Sequence, residues 1–312
     1  MSMADSQPAD IAIGVIGGGR MGAAIAQIFA AEGFAVLVVE PLEAARAGIA
    51  EKIAGICRAR SMDESALARV KILGAIDESL AQCALVIEAA PEKLELKQAV
   101  FEQLGAICGA STILATNTSV IPVTDIGARA SHPERVVGTH FWNPPYAVRL
   151  VEVVQTSSTS AQTIERTMAL LSRVGQLPVH VKRDVTGFIG NRLQHALKRE
   201  AIALVESGVC DAQTLDFVVR NSFGARLGIM GPLEQSDLVG LNLTLDIQNV
   251  ILKDLDGSTE PQKLLAGLVA AGKTGAGVGE GFRKWSPEER AELEGRLDKA
   301  LLGALPKNSP PK

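Results

Sequence analysis

The sequence predicts an α/β fold in which a doubly wound, mostly parallel sheet is followed by an all-helical C-terminal domain. Short apolar runs, typical of strands buried on both faces, alternate with helical segments up to residue 185. A glycine-rich turn at residues 17–22 joins the first apolar run to the first helix. From Gly187 onward only helical patterns occur. Strand–helix alternation indicates a parallel sheet, and its loss indicates a separate helical domain.

Composition and charge narrow the possible classes. The 312 residues suffice for two cores, and a net charge of -4 without a long basic run predicts no nucleic-acid partner. No apolar run reaches the length of a membrane span, and the first ten residues lack the apolar core of a signal peptide. The four cysteines form no CxxC pair. We therefore expect reduced cysteines, a cytoplasmic location, no membrane partner and no metal site.

The first domain is predicted to span residues 8–185. Its strands are expected at 11–16, 34–39, 70–73, 85–88, 112–115, 136–140, 150–154 and 178–181. Its helices are expected at 21–32, 41–60, 93–107 and 160–174.

The second domain is predicted to span residues 186–304. Helices are expected at 189–206, 212–220, 233–252 and 261–270. A last helix starts at Ser286, with Pro287 in its first turn and Glu289 completing a capping box. The Pro-rich residues 305–312 are expected to form a flexible tail.

The turn at 17–22 fits the G-x-G-x-x-G pattern. Gly17 permits a tight turn, Gly19 lets a pyrophosphate approach the backbone, and Gly22 lets the helix pack closely. Arg20 and Met21 open the helix, whose free amides favour phosphate. Glu40 ends the second strand, where a carboxylate binds ribose hydroxyls and repels a 2′-phosphate. The pattern predicts a Rossmann-type domain that binds NAD; a purely structural glycine turn is the alternative.

Four histidines are the candidates for a catalytic base. An alcohol that loses a hydride needs a base for its hydroxyl proton. His140 ends a strand at the carboxyl edge of the sheet, and Glu152 on the next strand is placed to orient and stabilise its imidazole. Asn143 follows in a turn that faces the same cleft. A histidine at a strand end is often structural, which is the alternative here; the remaining three histidines are expected to be structural.

Five motifs occur in an order that resembles the L-3-hydroxyacyl-CoA dehydrogenase family, including its L-gulonate 3-dehydrogenase and lambda-crystallin branch. The resemblance runs from residue 11 to residue 285. The motifs are VIGGGRMG at 15–22, ATNTS at 115–119, HFWNP at 140–144, LVEVV at 150–154 and GFIGNR at 187–192. GPLE at 231–234 and GEGF at 279–282 resemble the family's helical domain.

The resemblance implies a role for each motif residue. It makes His140 the general base, Glu152 its partner and Ser119 a hydrogen-bonding group for the substrate hydroxyl. Asn143 would hold His140 or the substrate, and Asn191 would bind the acyl carbonyl or lie beside it. Each role has a structural alternative; Ser119, for example, is also placed to cap a helix near residue 121.

The same resemblance extends the cofactor site and predicts the assembly. Glu92 and Lys97, in the stretch APEKLELK at 90–97, match positions that contact the nicotinamide end of NAD. Ala90 opens that stretch, and Asn117 lies in the ATNTS motif. The family pairs through its helical domain, so a homodimer is expected. The apolar faces of helices 233–252 and 261–270 would form its seam, or else an internal core.

At two places the sequence departs from the pattern of the CoA-using members, and the identity of the substrate therefore stays undecided. The segment 40–88 is shorter than in CoA-using members and offers only five cations, Lys52, Arg58, Arg60, Arg69 and Lys71. The sequence at 223–228 contains Arg226, which would clamp a substrate carboxylate or form a surface salt bridge. The leading prediction is NAD-dependent oxidation of an L-3-hydroxyacyl-CoA in fatty acid metabolism. The alternatives are a free 3-hydroxy carboxylate resembling L-gulonate, carnitine or 3-hydroxybutyrate, and a non-catalytic NAD-binding protein.

Overall fold

The computed structural model describes residues 7–303, and its backbone divides into two compact units. The first, called the sheet unit, contains residues 7–192 and 298–303 of those described. The second, called the helical unit, is Leu193–Leu297. This division lies later than the predicted boundary at residue 185, because the amides of Ile189 and Gly190 still bind Glu152 of the sheet. The predicted tail at 305–312 lies outside the described residues.

The sheet unit contains one eight-stranded sheet in the order β3-β2-β1-β4-β5-β6-β7-β8. Every strand pair is parallel except β6 with β7, which confirms the predicted sheet. The order reverses between β1 and β4, and ligands of such sheets bind at the carboxyl edge beside this point. The strands are β1 Ala12–Ile16, β2 Ala35–Val39, β3 Val70–Leu73, β4 Cys83–Glu88, β5 Ile113–Thr116, β6 Val136–Phe141, β7 Leu150–Val154 and β8 Leu177–Val181.

Helices cover both faces of the sheet, and each face has its own apolar cluster. The central strand β5 is buried throughout and β4 is buried except at the half-buried Ala84, which explains why both appear in the sequence as continuous apolar runs. Helix α1 buries every residue from Gly22 to Ala30, since its small side chains let it approach the sheet closely. The helices of this unit are α1 Arg20–Ala31, α2 Glu43–Arg46, α3 Ile49–Ala59, α4 Leu94–Ile107, α5 Val123–Ile126 and α6 Ala161–Arg173.

The prediction of one continuous helix over 41–60 is wrong. The chain forms α2 and α3 with a break at Ala47 and Gly48. Glycine is a weak helix former, so the break costs little. It lets Ile49 become fully buried against Gly18, where an added Cβ would lie only 2.3 Å from the Ile49 side chain.

The second half of the chain forms helices, as predicted. They are α7 Gly190–Glu206, α8 Ala212–Asn221, α9 Gly224–Leu227, α10 Pro232–Val239, α11 Leu241–Ile251, α12 Lys263–Ala270 and α13 Pro287–Gly303. The predicted single helix over 233–252 is wrong, because Gly240 adopts a φ of 99° between α10 and α11. The capping box of α13 is confirmed by hydrogen bonds between Ser286 and Glu289 at 2.9 and 3.1 Å.

The helical unit buries none of its residues. Every residue of Leu193–Leu297 is described, and each keeps substantial solvent exposure. Ile229, Leu233 and Val250 are 81%, 80% and 75% exposed. Within residues 7–303, none of the helices combines the length and apolar character that crossing a bilayer requires.

Candidate active site and cofactor site

The three glycines of the turn after β1 each meet a different steric demand. Gly17 has a φ of 106°, and an added Cβ would lie 2.7 Å from the Ala89 carbonyl oxygen. A Cβ on Gly22 would lie 1.8 Å from the Gly17 carbonyl oxygen, so α1 can start only with glycine there. A Cβ on Gly19 would meet no atom within 4 Å. The space beside Gly19 is therefore open at the N-terminus of α1, as a pyrophosphate requires.

Glu40 is held beside this turn. Its carboxylate accepts hydrogen bonds from the backbone amides of Gly18 at 2.9 Å and Leu42 at 3.1 Å. The arrangement places a negative charge where ribose hydroxyls bind in dinucleotide folds. The Arg46 guanidinium donates to the carbonyl oxygens of Glu40 and Pro41 at 3.0 and 2.8 Å. Arg46 was not predicted from the sequence, since it lies six residues after Glu40, on α2.

His140 and Glu152 form a buried pair. They are directly opposite one another in the antiparallel pairing of β6 and β7. The distance from His140 Nδ1 to Glu152 Oε2 is 2.8 Å, and both residues are less than 5% exposed. Because the carboxylate engages Nδ1, Nε2 is the nitrogen left for proton exchange. The arrangement is that of a general base oriented by a carboxylate.

The start of α7 also binds Glu152. Glu152 Oε1 accepts hydrogen bonds from the backbone amides of Ile189 at 2.9 Å and Gly190 at 3.1 Å. Burial works to raise the pKa of Glu152, but His140 and these two amides outweigh it, and the pKa is lowered from its ordinary value. Glu152 therefore carries the negative charge that stabilises a protonated imidazole.

Two aromatic rings contact the imidazole. The ring centroids of Trp142 and Phe188 lie 5.1 and 5.5 Å from that of His140. Gly190 leaves room for the indole, since an added Cβ would lie 2.2 Å from the Trp142 ring. Neither aromatic position was predicted from the sequence, although Trp142 follows His140 by two residues within one motif.

Ser119 and Asn191 are brought together. The Asn191 side-chain amide donates to the Ser119 carbonyl oxygen at 3.0 Å. The expectation that Ser119 caps the following helix is wrong, because the hydroxyl of Thr118 accepts the amide of Ile121 at 3.1 Å instead. The Ser119 hydroxyl makes no hydrogen bond within the described residues, which is compatible with a substrate-facing role.

Asn117 and Asn143 differ in how firmly they are held. The Asn117 side-chain oxygen accepts the backbone amide of Phe141 at 2.9 Å, which ties the end of β5 to β6. Asn143 is exposed, and its side chain makes no hydrogen bond within the part of the chain described. It therefore does not hold His140 in this structure. Two other histidines have partners of their own, His132 with Glu134 and His180 with Gln155.

Glu92 and Lys97 lie in a network of charges at the same edge of the sheet. Lys97 is 1% exposed, and its Nζ lies 2.7 Å from Glu88 and 3.5 Å from Glu92. Burial works to raise the pKa of Glu92, but the Thr118 hydroxyl, the Lys97 charge and backbone amides outweigh it and lower that pKa. Glu88 was predicted only as the end of a strand, although a charged residue that ends an apolar run is itself a sign of a functional position.

The cations named as possible substrate ligands differ in availability. Arg226 lies on α9, is exposed, and makes no side-chain hydrogen bond or ion pair within residues 7–303. In the segment after Glu40, most of the cationic side chains form hydrogen bonds with other groups of the protein. The contacts are Lys52 with Gly18, Arg58 with Glu51 and Glu64, Arg60 with Gln27, and Arg69 with Ala30.

The turn, the carboxylate beside it and the His140–Glu152 pair define an oxidoreductase that uses a nicotinamide dinucleotide. The sequence matches the family model of the 3-hydroxyacyl-CoA dehydrogenase NAD binding domain over residues 12–185 and that of the C-terminal domain over residues 187–285. The chain belongs to the 3-hydroxyacyl-CoA dehydrogenase family. It is an NAD-dependent oxidoreductase, as the sequence predicted.

Individual relatives are similar over most of their length. The chain is 32% identical over 296 residues to 5-formyl-3-hydroxy-2-methylpyridine 4-carboxylate 5-dehydrogenase of Mesorhizobium japonicum, covering 93% of this chain and 96% of the relative. It is 37% identical to a probable 3-hydroxybutyryl-CoA dehydrogenase of Bacillus subtilis, covering 86% and 95%. A lambda-crystallin homolog of Bos taurus is 35% identical, covering 76% of each. The crystal structure of a 5-formyl-3-hydroxy-2-methylpyridine 4-carboxylic acid 5-dehydrogenase superposes with a TM-score of 0.85 at 31% identity, covering 94% and 96%.

Proposed function

We propose that this dehydrogenase oxidises the hydroxyl group of a 3-hydroxyacyl substrate, reversibly, with His140 as the general acid and base. The observation that carries the proposal is the 2.8 Å contact between His140 Nδ1 and the ionised Glu152. A neutral imidazole with one nitrogen engaged by a carboxylate can accept a proton at the other. When bound, NAD supplies the hydride acceptor.

Each polar group of the site has a part in this chemistry. His140 Nε2 takes the hydroxyl proton as the substrate carbon is oxidised, and Glu152 stabilises the resulting positive charge. The free hydroxyl of Ser119 orients the substrate hydroxyl, and Asn191, which holds the Ser119 carbonyl, fixes its position. Trp142 and Phe188 keep water away from the buried imidazole.

For the substrate we propose a free carboxylate rather than a CoA ester. Arg226 is an exposed guanidinium without a protein partner in the described residues, and guanidinium binds carboxylate in a bidentate manner. The cations after Glu40 are mostly engaged by the protein, which leaves little positive charge there for the phosphates of CoA. The Mesorhizobium japonicum relative is itself named for a small carboxylate.

A CoA ester is the second candidate. It is favoured by the names of both matching family models and by the Bacillus subtilis relative, a probable 3-hydroxybutyryl-CoA dehydrogenase. Under this proposal the chain acts in fatty acid metabolism, and Arg226 has no part in binding the acyl group. The two candidates share the His140 chemistry and differ only in what recognises the rest of the substrate.

We also propose that the chain works as a cytoplasmic homodimer paired through its helical unit. That unit exposes large apolar side chains on α10 and α11, and burying one such side chain contributes about 1.5–3 kcal/mol. An isologous interface would cover the same surface on both copies. Four free cysteines, three of them buried, support a reducing compartment.

The test is NADH formation with a panel of substrates, comparing free 3-hydroxy acids (L-gulonate, L-carnitine and 3-hydroxybutyrate) with L-3-hydroxybutyryl-CoA. His140→Ala should lower the rate by about 10²–10⁴-fold on any true substrate. His132→Ala, at an exposed histidine outside the site, is the matched control. An unchanged rate in His140→Ala would overturn the role of the base, and no turnover by the wild type of any compound would favour the non-catalytic alternative.

The substrate class is decided by Arg226→Ala with Arg220→Ala as its control. Both residues are exposed arginines of the helical unit without a side-chain partner in the described residues. We expect Arg226→Ala to raise KM for a free acid by about tenfold or more, the value of one lost charge-assisted pair. Turnover of the CoA ester that is indifferent to Arg226 would overturn the carboxylate proposal and establish the second candidate.

A further inference from the structure

A buried carboxylate that the chemistry above does not use lies at the carboxyl edge of the sheet. Glu88 is the last residue of β4 and is fully buried. It is in register with Ile16 of β1 on one side and with Thr116 of β5 on the other. A charge in such a place is costly unless it is paired and hydrogen-bonded, so its retention calls for a physical reason.

Both oxygens of Glu88 are fully engaged. Oε1 accepts from Lys97 Nζ at 2.7 Å and from the backbone amide of Ala90 at 2.6 Å. Oε2 accepts from the Thr116 hydroxyl at 2.7 Å, and the Glu88 carbonyl oxygen accepts the amide of Asn117 at 2.7 Å. Glu88 thus holds the first residues of both loops that follow β4 and β5.

Lys97 extends the hydrogen-bond network of Glu88 into the loop that follows β4. Its ammonium group donates hydrogen bonds to Glu88 at 2.7 Å and to the Ala90 carbonyl oxygen at 3.2 Å, and it forms an ion pair with Glu92 at 3.5 Å. Lys97 therefore ties the loop 89–93 to Glu88. Glu92 in turn accepts the amide of Ser119 at 3.1 Å.

The loops that Glu88 and Lys97 hold at the carboxyl edge of the sheet belong to one half of the dinucleotide site. A doubly wound sheet binds one mononucleotide on each half. The half built from β1 to β3 contains the glycine turn and Glu40, which suit the adenosine side. The loops after β4 and β5 lie on the other half, where the nicotinamide side is bound.

We propose that Glu88 is a positioning residue for the nicotinamide half of NAD, acting through Lys97 to set the backbone of Ala90 and the carboxylate of Glu92. The ion pair fixes both the amide and the carbonyl of Ala90, so this peptide presents a fixed edge to the cofactor. The inference rests on NAD binding and not on the identity of the base or the substrate.

The test separates positioning from mere support of the fold by using two ligands. NADH fills both halves of the site, whereas ADP fills only the adenosine and pyrophosphate part. Dissociation constants are measured by fluorescence titration for NADH and by calorimetry for ADP, and Tm is measured alongside. Glu88→Gln keeps the shape and removes the charge; the double variant Glu88→Leu with Lys97→Met replaces the pair by apolar side chains of similar size, a change that stability often tolerates.

Both variants should bind NADH about tenfold more weakly and ADP as the wild type does, and the double variant should have a higher Tm than Glu88→Gln. Thr159→Val is the control, because Thr159 is a buried polar residue that binds the Val136 carbonyl at the opposite edge of the sheet. It should lower Tm and leave both dissociation constants unchanged. The proposal is overturned if the double variant binds NADH like the wild type, or if ADP and NADH affinities fall together. Neither outcome depends on turnover, so the result is independent of the proposed function.

Discussion

At the scale of single residues, the chemistry of this protein depends on charges that are held in place by strand register and by backbone amides. His140 and Glu152 meet because they are opposite one another on β6 and β7. A slip of one residue would turn one of the two side chains to the other face of the sheet. The amides of Ile189 and Gly190 then keep the Glu152 carboxylate ionised and aimed at the imidazole.

Glu152→Gln should lower kcat by about 10²–10⁴-fold without loss of NADH binding. The Gln oxygen can still accept the two amides, but its NH₂ group then faces His140 Nδ1 and places the imidazole proton on Nε2, the wrong tautomer for a base. The measurement is the rate of NADH formation, with Glu165→Gln on the exposed face of α6 as control. A loss of less than a few-fold would mean that the tautomer is set by another group.

The same variant should change the dependence of stability on pH. A carboxyl whose pKa is lowered on folding stabilises the protein above its unfolded pKa of about 4.3, and this contribution is lost as the pH falls through the folded pKa. The wild type should therefore lose more free energy of unfolding than Glu152→Gln when the pH is lowered from 7 to 4. Urea unfolding at both values measures this, and equal losses would contradict it.

Glu40→Ser should shift the cofactor preference from NADH towards NADPH. The substitution removes the negative charge that repels a 2′-phosphate, and Arg46 is already fixed on the carbonyl oxygen of residue 40. We expect the ratio of the two dissociation constants to move by about tenfold or more. Glu43→Ser, an exposed carboxylate in the first turn of α2, is the control. A weaker NADH affinity with no gain for NADPH would show that Arg46 does not reach the phosphate.

At the scale of elements, the beginning of α7 has two tasks. Its first amides bind Glu152, and the absence of a side chain at Gly190 makes room for Trp142 against His140. Phe188, two residues before Gly190 in the same motif, is buried and has a φ of 53°, an uncommon conformation for a bulky residue. The helix start is therefore shaped by its contacts with His140 and Glu152 as much as by helix propensity.

Gly190→Ala should displace the indole of Trp142 and lower kcat, because the new methyl carbon would lie 2.2 Å from the ring. Overpacking of this kind costs about 1–3 kcal/mol, so Tm should fall as well. Gly267→Ala in α12 is the matched control: nothing lies within 4 Å of its added Cβ, and it should raise stability by about 1 kcal/mol. Thermal melts and NADH formation test both, and a Gly190→Ala enzyme with unchanged rate and Tm would refute the steric argument.

At the scale of the whole molecule, the helical unit does not build a core of its own. None of its residues is buried, and its apolar side chains are large and numerous. A monomeric protein seldom exposes so much apolar surface. The stability of this unit is therefore expected to depend on association.

If the proposed homodimer forms, Val250→Asp should weaken it and make Tm lower and more dependent on protein concentration. Val250 is 75% exposed on α11, and a buried unpaired charge at an interface is strongly unfavourable. Light scattering after size-exclusion chromatography gives the mass of the particle. Thermal unfolding at several protein concentrations shows how strongly Tm depends on association. Leu42→Asp, at a residue 69% exposed in the sheet unit, is the control and should leave the mass unchanged. A wild type that is monomeric at micromolar concentration would contradict the proposed dimer.

The sequence by itself determined the class of fold, the cofactor and the family. Those conclusions depend on local patterns: apolar runs with a period, three glycines at fixed spacing, a carboxylate at a strand end and ordered motifs. The predicted strands all exist, with ends displaced by at most a few residues, since burial on both faces leaves a continuous apolar signal. The predicted pairing of His140 with Glu152 is present at hydrogen-bond distance.

Only the tertiary structure decided the features that join distant parts of the chain. Helix 41–60 is broken because Ile49 packs on Gly18, a contact between residues far apart in sequence. Thr118 rather than Ser119 caps the next turn, and the buried Lys97 pairs with Glu88 and Glu92. Helix propensity and motif spacing describe a residue's own neighbours along the chain. Buried ion pairs and side-chain packing depend on which strands lie side by side, and that is settled when the whole sheet forms.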